Sequence, residues 1–169
     1  IDITNPASPE NVGYVLRPAT FDAVAVAGDY AYVVGGYGLH VIDITNPANP
    51  PLVGGVDTPG WARDVAVSGD YAYVAHDGSG LHVIDITSPA SPQIVGGVGT
   101  PGSAHDVAVA GDLAYMADGD SGLQVIDVSD PTQPNIIGSV DTPGTARDVL
   151  VDGTLAYVAD MSAGLQVWH

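Results

Sequence analysis

Apolar residues in this chain occur in short runs that are separated by segments rich in Gly, Pro, Asp and Asn. The second part of the chain shows four such runs, PLVGGV, RDVAVS, YAYVAH and GLHVIDI, at 51–56, 63–68, 71–76 and 80–86. Short runs rich in Val, Ile and Tyr and bounded by turn residues are typical of β-strands. No segment shows a convincing period of 3.6 residues, so we expect almost no helix.

One ten-residue phrase recurs along the chain. GLHVIDITNP at 38–47 returns as GLHVIDITSP at 80–89 and GLQVIDVSDP at 122–131, and it begins again as GLQVWH at 164–169. The opening glycines of successive copies lie 42 residues apart. Four antiparallel strands in each repeat of about 40 residues are typical of a β-propeller blade. A β-solenoid is the competing architecture, but its repeats are usually shorter and lack paired tight hairpins.

The sequence therefore predicts an all-β chain with one domain over residues 1–169, a β-propeller of four blades of about 42 residues. The repeat units cover approximately 1–44, 45–86, 87–128 and 129–169. From the axis outward we expect DVAV, YAYVA, GLHVIDI and PLVGGV as the first, second, third and outermost strands. Because the chain begins at Ile1, we expect it to be a mature or excised part of something longer.

Two strands lack a partner in this order. They are the first outer strand, near residues 10–16, and the last third strand, GLQVWH. Pairing them closes a ring of four blades and removes both free sheet edges, so we favour a closed, monomeric ring. Two chains that combine into an eight-blade ring and an open fragment of a longer array are the alternatives.

The repeated phrase also has a familiar form. LHVIDI, LHVIDI and LQVIDV, each followed by a [TS]-[NSD]-P corner, resemble the LVIVD repeat family of propeller-like bacterial and archaeal surface proteins. ARDVAVSGDYAYVA and AHDVAVAGDLAYMA resemble the same family, and the resemblance covers essentially the whole chain. The first unit departs most, with LRPATFDAVAV where others have a T-P-G corner. The resemblance implies a propeller fold and an extracellular or cell-surface location, and no defined reaction.

Charge and composition exclude several classes of protein. Twenty acidic residues face three Arg, and the net charge of −17 repels nucleic acid and anionic membrane surfaces. With no Cys, neither a disulfide framework nor a zinc ribbon is available. No apolar run approaches the roughly eighteen residues that span a bilayer, so we expect no membrane insertion. The acidity indicates adaptation to salt or divalent cations, or a highly soluble extracellular surface.

Two kinds of loop meet on one face of such a propeller, those that enter the inner strands and those between the second and third strands. Function usually resides in such loops. Trp61 is the one bulky apolar residue at its loop position, which makes it the natural anchor for a partner. We expect a protein or carbohydrate of the cell surface to bind there. The candidate binding residues are Trp61, Arg63, His105, Arg147, Tyr37 and His76.

Acidic residues on the same face raise the question of a metal. Asp64, Asp106 and Asp148 enter the inner strands, where an incomplete carboxylate ring could hold Ca²⁺ in the channel. Asp118 and Asp120 lie in DGDSG, which resembles the start of a calcium loop but lacks the later bidentate acid. A structural role is favoured for both sets, because Asp in such positions commonly accepts backbone N–H hydrogen bonds. We therefore expect no cofactor, with Ca²⁺ as the open alternative.

No catalytic constellation is evident. The chain has neither Cys nor Lys, and no Ser-His-Asp set in a nucleophile elbow. We expect a non-enzymatic scaffold or interaction domain of a secreted or cell-surface protein. The alternatives are a Ca²⁺-dependent structural or adhesion module and, last, a hydrolase that uses channel carboxylates.

Overall fold

The computed structural model describes residues 4, 7–15, 20–36 and 38–169. Fifteen strands make up its regular structure: β1 (Ala23–Ala27), β2 (Tyr30–Gly35), β3 (Gly38–Asp43), β4 (Leu52–Asp57), β5 (Ala62–Ser68), β6 (Tyr71–His76), β7 (Gly80–Asp85), β8 (Gln93–Val98), β9 (Asp106–Ala110), β10 (Leu113–Ala117), β11 (Leu123–Asp127), β12 (Asn135–Val140), β13 (Asp148–Asp152), β14 (Leu155–Asp160) and β15 (Gly164–Trp168). A 3₁₀ turn at Met161–Ala163 is the only helical segment in these ranges, as predicted. No described helix is both long and apolar enough to cross a membrane.

The strands form four antiparallel sheets, which we call blades 1 to 4. Blades 1, 2 and 3 have four strands each (β1–β4, β5–β8 and β9–β12), and blade 4 has three (β13–β15). Each sheet runs in sequence order, so the predicted order of strands is confirmed. The inner strands β1, β5, β9 and β13 pack one against the next. The outer strand of each complete blade comes from the repeat unit that follows.

Turn chemistry explains why the strands end where they do. Gly69 has a φ of +57°, a conformation that glycine adopts without steric cost, and it turns the chain between β5 and β6. After β7, the carboxylate of Asp85 accepts hydrogen bonds from the Thr87 N–H at 2.8 Å and from its hydroxyl at 2.6 Å. The same pair occurs at Asp43 and Thr45. The hydroxyl bonds lower the pKa of both carboxyls, which identifies these repeated acids as turn residues.

The core lies between the blades. We call the face that each blade turns toward the next blade its back face, and the opposite one its front face. The back face of blade 1 packs on the front face of blade 2, and blades 2 and 3 and blades 3 and 4 pack in the same way. The first interface joins Tyr32, Val34, Leu39 and Val41 to Val65, Ala72, Val74, Ile84 and Ile86. Burial of apolar surface between sheets is therefore what holds successive blades together.

The predicted closure of the ring is not shown. Among the residues that the structure describes, no strand pairs with the outer edge of β15, and residue 16 of the predicted partner lies outside them. Leu165 and Val167 of β15 are 66% and 50% exposed. The inner strand β13 has no packing against β1 comparable to that between neighbouring blades. Closure by the chain's own ends stays a prediction.

Candidate functional site

A polar cavity of about 740 Å³ opens on the loop face, across blades 2, 3 and 4. It is built from the two classes of loop that the sequence analysis identifies, those entering the inner strands and those joining second to third strands. Its lining consists of Arg63, Asp77, Pro101, Gly102, Ser103, His105, Gly119, Asp120, Ser121, Thr145 and Arg147. Residues from three separate repeats therefore share one concave surface.

At the blade 2 side of the cavity, Arg63 is held by a carboxylate. Its Nη2 lies 2.7 Å from Oδ2 of Asp77, and this hydrogen bond is the main cause of the lowered pKa of Asp77. The Arg63 guanidinium also lies 5.7 Å from the ring centroid of Trp61. The Trp61 side chain is 36% exposed, and its indole N–H donates to the carboxylate of Asp22. Trp61 and Arg63 thus form one partly exposed pair beside the cavity.

At the blade 4 side, Arg147 has a different environment. Its Nη1 lies 3.5 Å from Nδ1 of His105, and its Nε donates to Sδ of Met161 at 3.3 Å. Among the described residues, no carboxylate lies within ion-pair distance of Arg147. Burial, with repulsion from Arg147, lowers the pKa of His105, so its imidazole is neutral at pH 7. Arg147 is therefore an exposed cation beside a neutral donor and acceptor.

The floor of the cavity carries hydroxyl groups that the sequence analysis did not single out. Thr145 donates to Oδ1 of Asp120 at 2.7 Å, and Ser103 and Ser121 line the same surface. Their only signal in the sequence is that they lie in the same two classes of loop. With Arg147 and His105 they give a surface that can bind one carboxylate and several hydroxyl or amide groups.

Among the predicted binding residues that the structure describes, Trp61 lies beside this cavity without lining it, and His76 does not reach it. Tyr37 lies outside the described residues. His76, expected on the loop face, is instead fully buried at the end of β6, where it pairs with Gly80 across the sheet. Its ring meets that of His82 edge-on, with centroids 4.7 Å apart. Burial, with repulsion from His82, lowers the pKa of His76 to about 4.

The aspartates of DGDSG are used within the protein. Asp118 is fully buried and accepts hydrogen bonds from the Thr100 hydroxyl at 2.6 Å and the Gly102 N–H at 2.8 Å. These donors belong to the T-P-G corner, which the carboxylate holds against the end of β10. Asp120 accepts from Thr145, as described above. A calcium loop needs these oxygens free to coordinate the ion, and this structure assigns them to protein donors.

The acids at the inner strands join neighbouring blades. Oδ2 of Asp64 accepts from the Val107 N–H at 3.1 Å, and Oδ2 of Asp106 accepts from the Val149 N–H at 2.7 Å. Burial and the nearby Asp64 carboxylate raise the pKa of Asp106. Asp148 is exposed. In the part of the chain that the structure describes, no three or more His, Asp or Glu residues are grouped to hold a metal ion.

The fold and its repeated corners define a propeller-like repeat protein. The model of the LVIVD repeat matches residues 21–58, 59–100, 101–142 and 143–167, so the chain belongs to the LVIVD repeat family. Two of the solved structures that it resembles are computationally designed proteins. Ika4 has 11% identity over 96% of this chain and 98% of its own, with a TM-score of 0.78. Ika8 has 11% identity over 88% of this chain and 45% of its own, with a TM-score of 0.73.

At these identities, the likeness to solved structures shows the fold alone. A search among curated protein sequences finds no match. The family match confirms the resemblance that the repeated phrase suggested, and it supports a repeat or scaffold domain.

Proposed function

We propose that this chain is a non-enzymatic interaction domain of a secreted or cell-surface protein and that it binds a partner through the loop-face cavity. One observation carries the proposal. In a chain of net charge −17, both arginines that the structure describes, Arg63 and Arg147, line the same cavity. Only three of the 169 residues are Lys or Arg, and the convergence of two of them on a concave polar surface favours a binding role.

The ligand chemistry follows from the two arginines. Asp77 neutralises Arg63, whereas Arg147 has no described carboxylate partner and can receive one from a ligand. His105 is neutral, and the hydroxyls of Ser103 and Ser121 suit sugar hydroxyls or peptide amides. The acidic surroundings repel polyanions, which excludes nucleic acid. We therefore propose a polar ligand with a single carboxylate, from an acidic sugar or a peptide C-terminus.

Trp61 extends this surface for a larger partner. It is the exposed aromatic beside Arg63, and aromatic and Arg side chains are enriched among the residues that dominate interface energetics. A protein or glycan seated in the cavity would cover it. Replacement of Trp61 by Ala should then weaken binding of the whole partner more than binding of an isolated carboxylate ligand.

Binding can be measured by calorimetry and by NMR chemical-shift titration with two matched pairs of probes. One pair is glucuronate and glucose, and the other is a short peptide with a free or an amidated C-terminus. We expect glucuronate or the free peptide to bind and its uncharged match to bind at least about tenfold more weakly. The pair that binds identifies the source of the carboxylate.

The variant Arg147→Gln should reduce that binding by about tenfold or more, because it removes the cation while keeping a polar side chain of similar length. Asp112→Asn, in an exposed hairpin between β9 and β10, is the control for a change of one charge. Equal affinity for the charged and uncharged probes, or an Arg147→Gln variant that binds as well as the original chain, would rule out this site.

A second function is favoured by one observation, the raised pKa of Asp106 beside Asp64. A carboxylic acid that keeps its proton near neutral pH can act as a general acid in hydrolysis. It ranks second because neither acid lines the cavity and both accept backbone hydrogen bonds. Turnover of chromogenic glycosides or esters that Asp106→Asn abolishes would replace the binding proposal with this one.

A further inference from the structure

Neighbouring blades repeat one interface, and each of its halves has a fixed composition. On the back face, the third strand supplies Leu39, Leu81 and Leu123 in blades 1, 2 and 3, and these are at most 3% exposed. On the front face, the inner strand supplies Val65, Val107 and Val149 in blades 2, 3 and 4, at most 5% exposed. The three interfaces thus define what each face requires as its partner.

At the two end faces, the equivalent residues of the inner strand and of the third strand are exposed. Val24 is the blade 1 equivalent of Val65, and it is 62% exposed on the front face. Leu165 is the blade 4 equivalent of Leu81, and it is 66% exposed on the back face. Val26, Leu150 and Val167 are exposed beside them. The inner-strand part of the blade 1 front face and the back face of blade 4 are therefore exposed at opposite ends of one chain, whereas Ala31, Val33 and Ile42 of the blade 1 front face are buried against Val15 and Phe21.

A hydrogen bond between successive blades shows the same pattern as the apolar residues. Asp64 accepts from the Val107 N–H of the next blade, and Asp106 accepts from the Val149 N–H of the blade after it. Asp148 is the next acid in this series, and in the described residues no following strand supplies its donor. Val24 of β1 occupies the position of Val107 and Val149, so its N–H is the matching donor. The two open faces thus match in hydrogen bonding as well as in apolar residues.

The outer strands of the blades also match at the two ends of the chain. Gly54 and Gly96 of the outer strands lie so close to the carbonyls of Pro89 and Pro131 in the next blade that a Cβ would lie 2.1 and 2.2 Å from them. Gly13 lies in the same way against the carbonyl of Pro47. Residues 10–15, which we call the N-terminal segment, therefore occupy the outer-strand position of a blade that precedes blade 1. Such a blade still requires an inner, a second and a third strand, and these are the three that blade 4 has.

We propose that two copies of this chain assemble head to tail into a closed ring of eight blades. The back face of blade 4 in each copy packs on the front face of blade 1 in the other, and β15 pairs with the partner's N-terminal segment. When identical subunits associate through two different faces, they form a closed ring if the rotation from each subunit to the next adds up to a full turn. A second copy is favoured over the chain's own end because, within one chain, β13 does not pack against β1 as neighbouring inner strands pack against each other.

The net charge of −17 per chain opposes association, and salt screens such repulsion. We therefore expect the dimer to be favoured at about 0.5 M NaCl relative to about 0.02 M, where the Debye length is several times longer.

Sedimentation equilibrium at both salt concentrations measures the assembly directly. We expect a mass of twice 17.1 kDa that no increase in concentration raises further. Leu165→Asp and Val24→Asp should each raise the dissociation constant at least about tenfold, because each buries a charge in an apolar interface. Ile137→Asp is the matched control, since Ile137 is 56% exposed on the outer strand β12, away from both end faces.

Mixing the two interface variants adds a second readout. In a two-chain ring, both substitutions fall in one interface and leave the other intact, so the mixture should dimerise more tightly than either variant alone. Circular dichroism checks that each variant is folded. A wild-type chain that is monomeric at every concentration, with a closed ring of its own, overturns the proposal. So does a series of ever larger species, which an open array would give.

Discussion

Blades 2 and 3 share strands, turns and packing, but they differ at the end of the second strand. Blade 3 has Asp118 there, and its carboxylate accepts hydrogen bonds from Thr100 and Gly102 of the T-P-G corner. Blade 2 has His76 at the equivalent position, 42 residues earlier, and among the described residues neither nitrogen of its buried ring has a hydrogen-bond partner. The hydroxyl of Thr58, the equivalent of Thr100, is also buried, and it has no hydrogen-bond partner in the part of the chain that the structure describes.

The difference shows that the repeat fixes backbone geometry more strictly than side-chain chemistry. Blade 4 follows blade 3, since Asp160 accepts from the Thr142 hydroxyl and the Gly144 N–H. Blade 2 keeps the same corner although its polar groups are unpaired, at a cost that apolar packing between blades offsets. Each of the following experiments changes one side of this comparison.

Removal of the carboxylate in blade 3 should have the largest effect. Asp118→Ala leaves a hydroxyl and an N–H unpaired in a buried corner, which should lower the free energy of unfolding by about 3 kcal/mol. Urea denaturation measures the loss. Asp120→Ala, an exposed neighbour with one hydroxyl partner, is the control and should cost less than about 1 kcal/mol. Similar losses in the two variants would contradict the structural role of Asp118.

Lowering the pH should distinguish blade 2 from blade 3, because blade 2 has the buried His76 and should lose stability through it. The pKa of His76 is about 4 in the fold and 6.5 for a free histidine side chain, so the unfolded chain binds the proton more readily as the pH falls below 6.5. Stability is therefore lost from about pH 6.5 down to pH 4, with about 2 kcal/mol gone by pH 5.

His76→Asn should remove this part of the loss. The readout is the difference between the free energies of unfolding at pH 7 and pH 5, compared between wild type and variant, because other acids titrate equally in both. His169→Gln, at the exposed chain end, should behave as wild type. If wild type and His76→Asn lose the same stability, the buried imidazole is not the acid-sensitive group.

Transfer of the blade 3 chemistry into blade 2 should have a smaller effect. His76→Asp supplies an acceptor for the buried Thr58 hydroxyl, whereas His76→Ala supplies none. We expect the Asp variant to be more stable than the Ala variant by about 1 kcal/mol at pH 7. Adding Thr58→Val to each variant should abolish the difference, and a difference that persists would show that Thr58 is not the donor.

Addition of calcium should have the smallest effect on the stability of the protein. The carboxylate oxygens of Asp118 already have protein donors, and blade 2 has no acid at that position. We therefore expect melting temperatures with 5 mM CaCl₂ and with 5 mM EDTA to agree within about 1 °C, since only a ligand that binds the folded state raises them. A rise of several degrees that NaCl of equal ionic strength does not reproduce would restore the calcium-dependent module.

The strands were predictable because turn chemistry and period act locally. RDVAVS at 63–68 lies within β5, and GLHVIDI at 80–86 coincides with β7 to within one residue. The Gly-Asp hairpins fix where these strands begin, and the 42-residue spacing fixes how often they return. The Asp-Thr corner after β7 was equally predictable from the sequence, since both hydrogen bonds from Thr87 to the Asp85 carboxylate join residues only two positions apart.

The cavity was only partly predictable, because it joins loops from different blades. Arg63, His105 and Arg147 stand out as rare cations or imidazoles, but nothing local marks Ser103 or Thr145 as their neighbours. The position of His76 depends on the T-P-G corner that folds over the end of β6, where Gly60 lies close to its ring. A contact of that kind is decided by packing across the fold and not by the residues adjacent in sequence.

The outer strand of each blade belongs to the following repeat, and this has a consequence for the order of events during synthesis. Blade 1 lacks its outer strand β4 until residue 57 has left the ribosome, and blade 2 lacks its outer strand β8 until residue 98 has done so. Each new unit therefore finishes the sheet before it and then exposes an unfinished one of its own. Folding behind the ribosome should advance in steps of one repeat, with one open sheet edge at every stage.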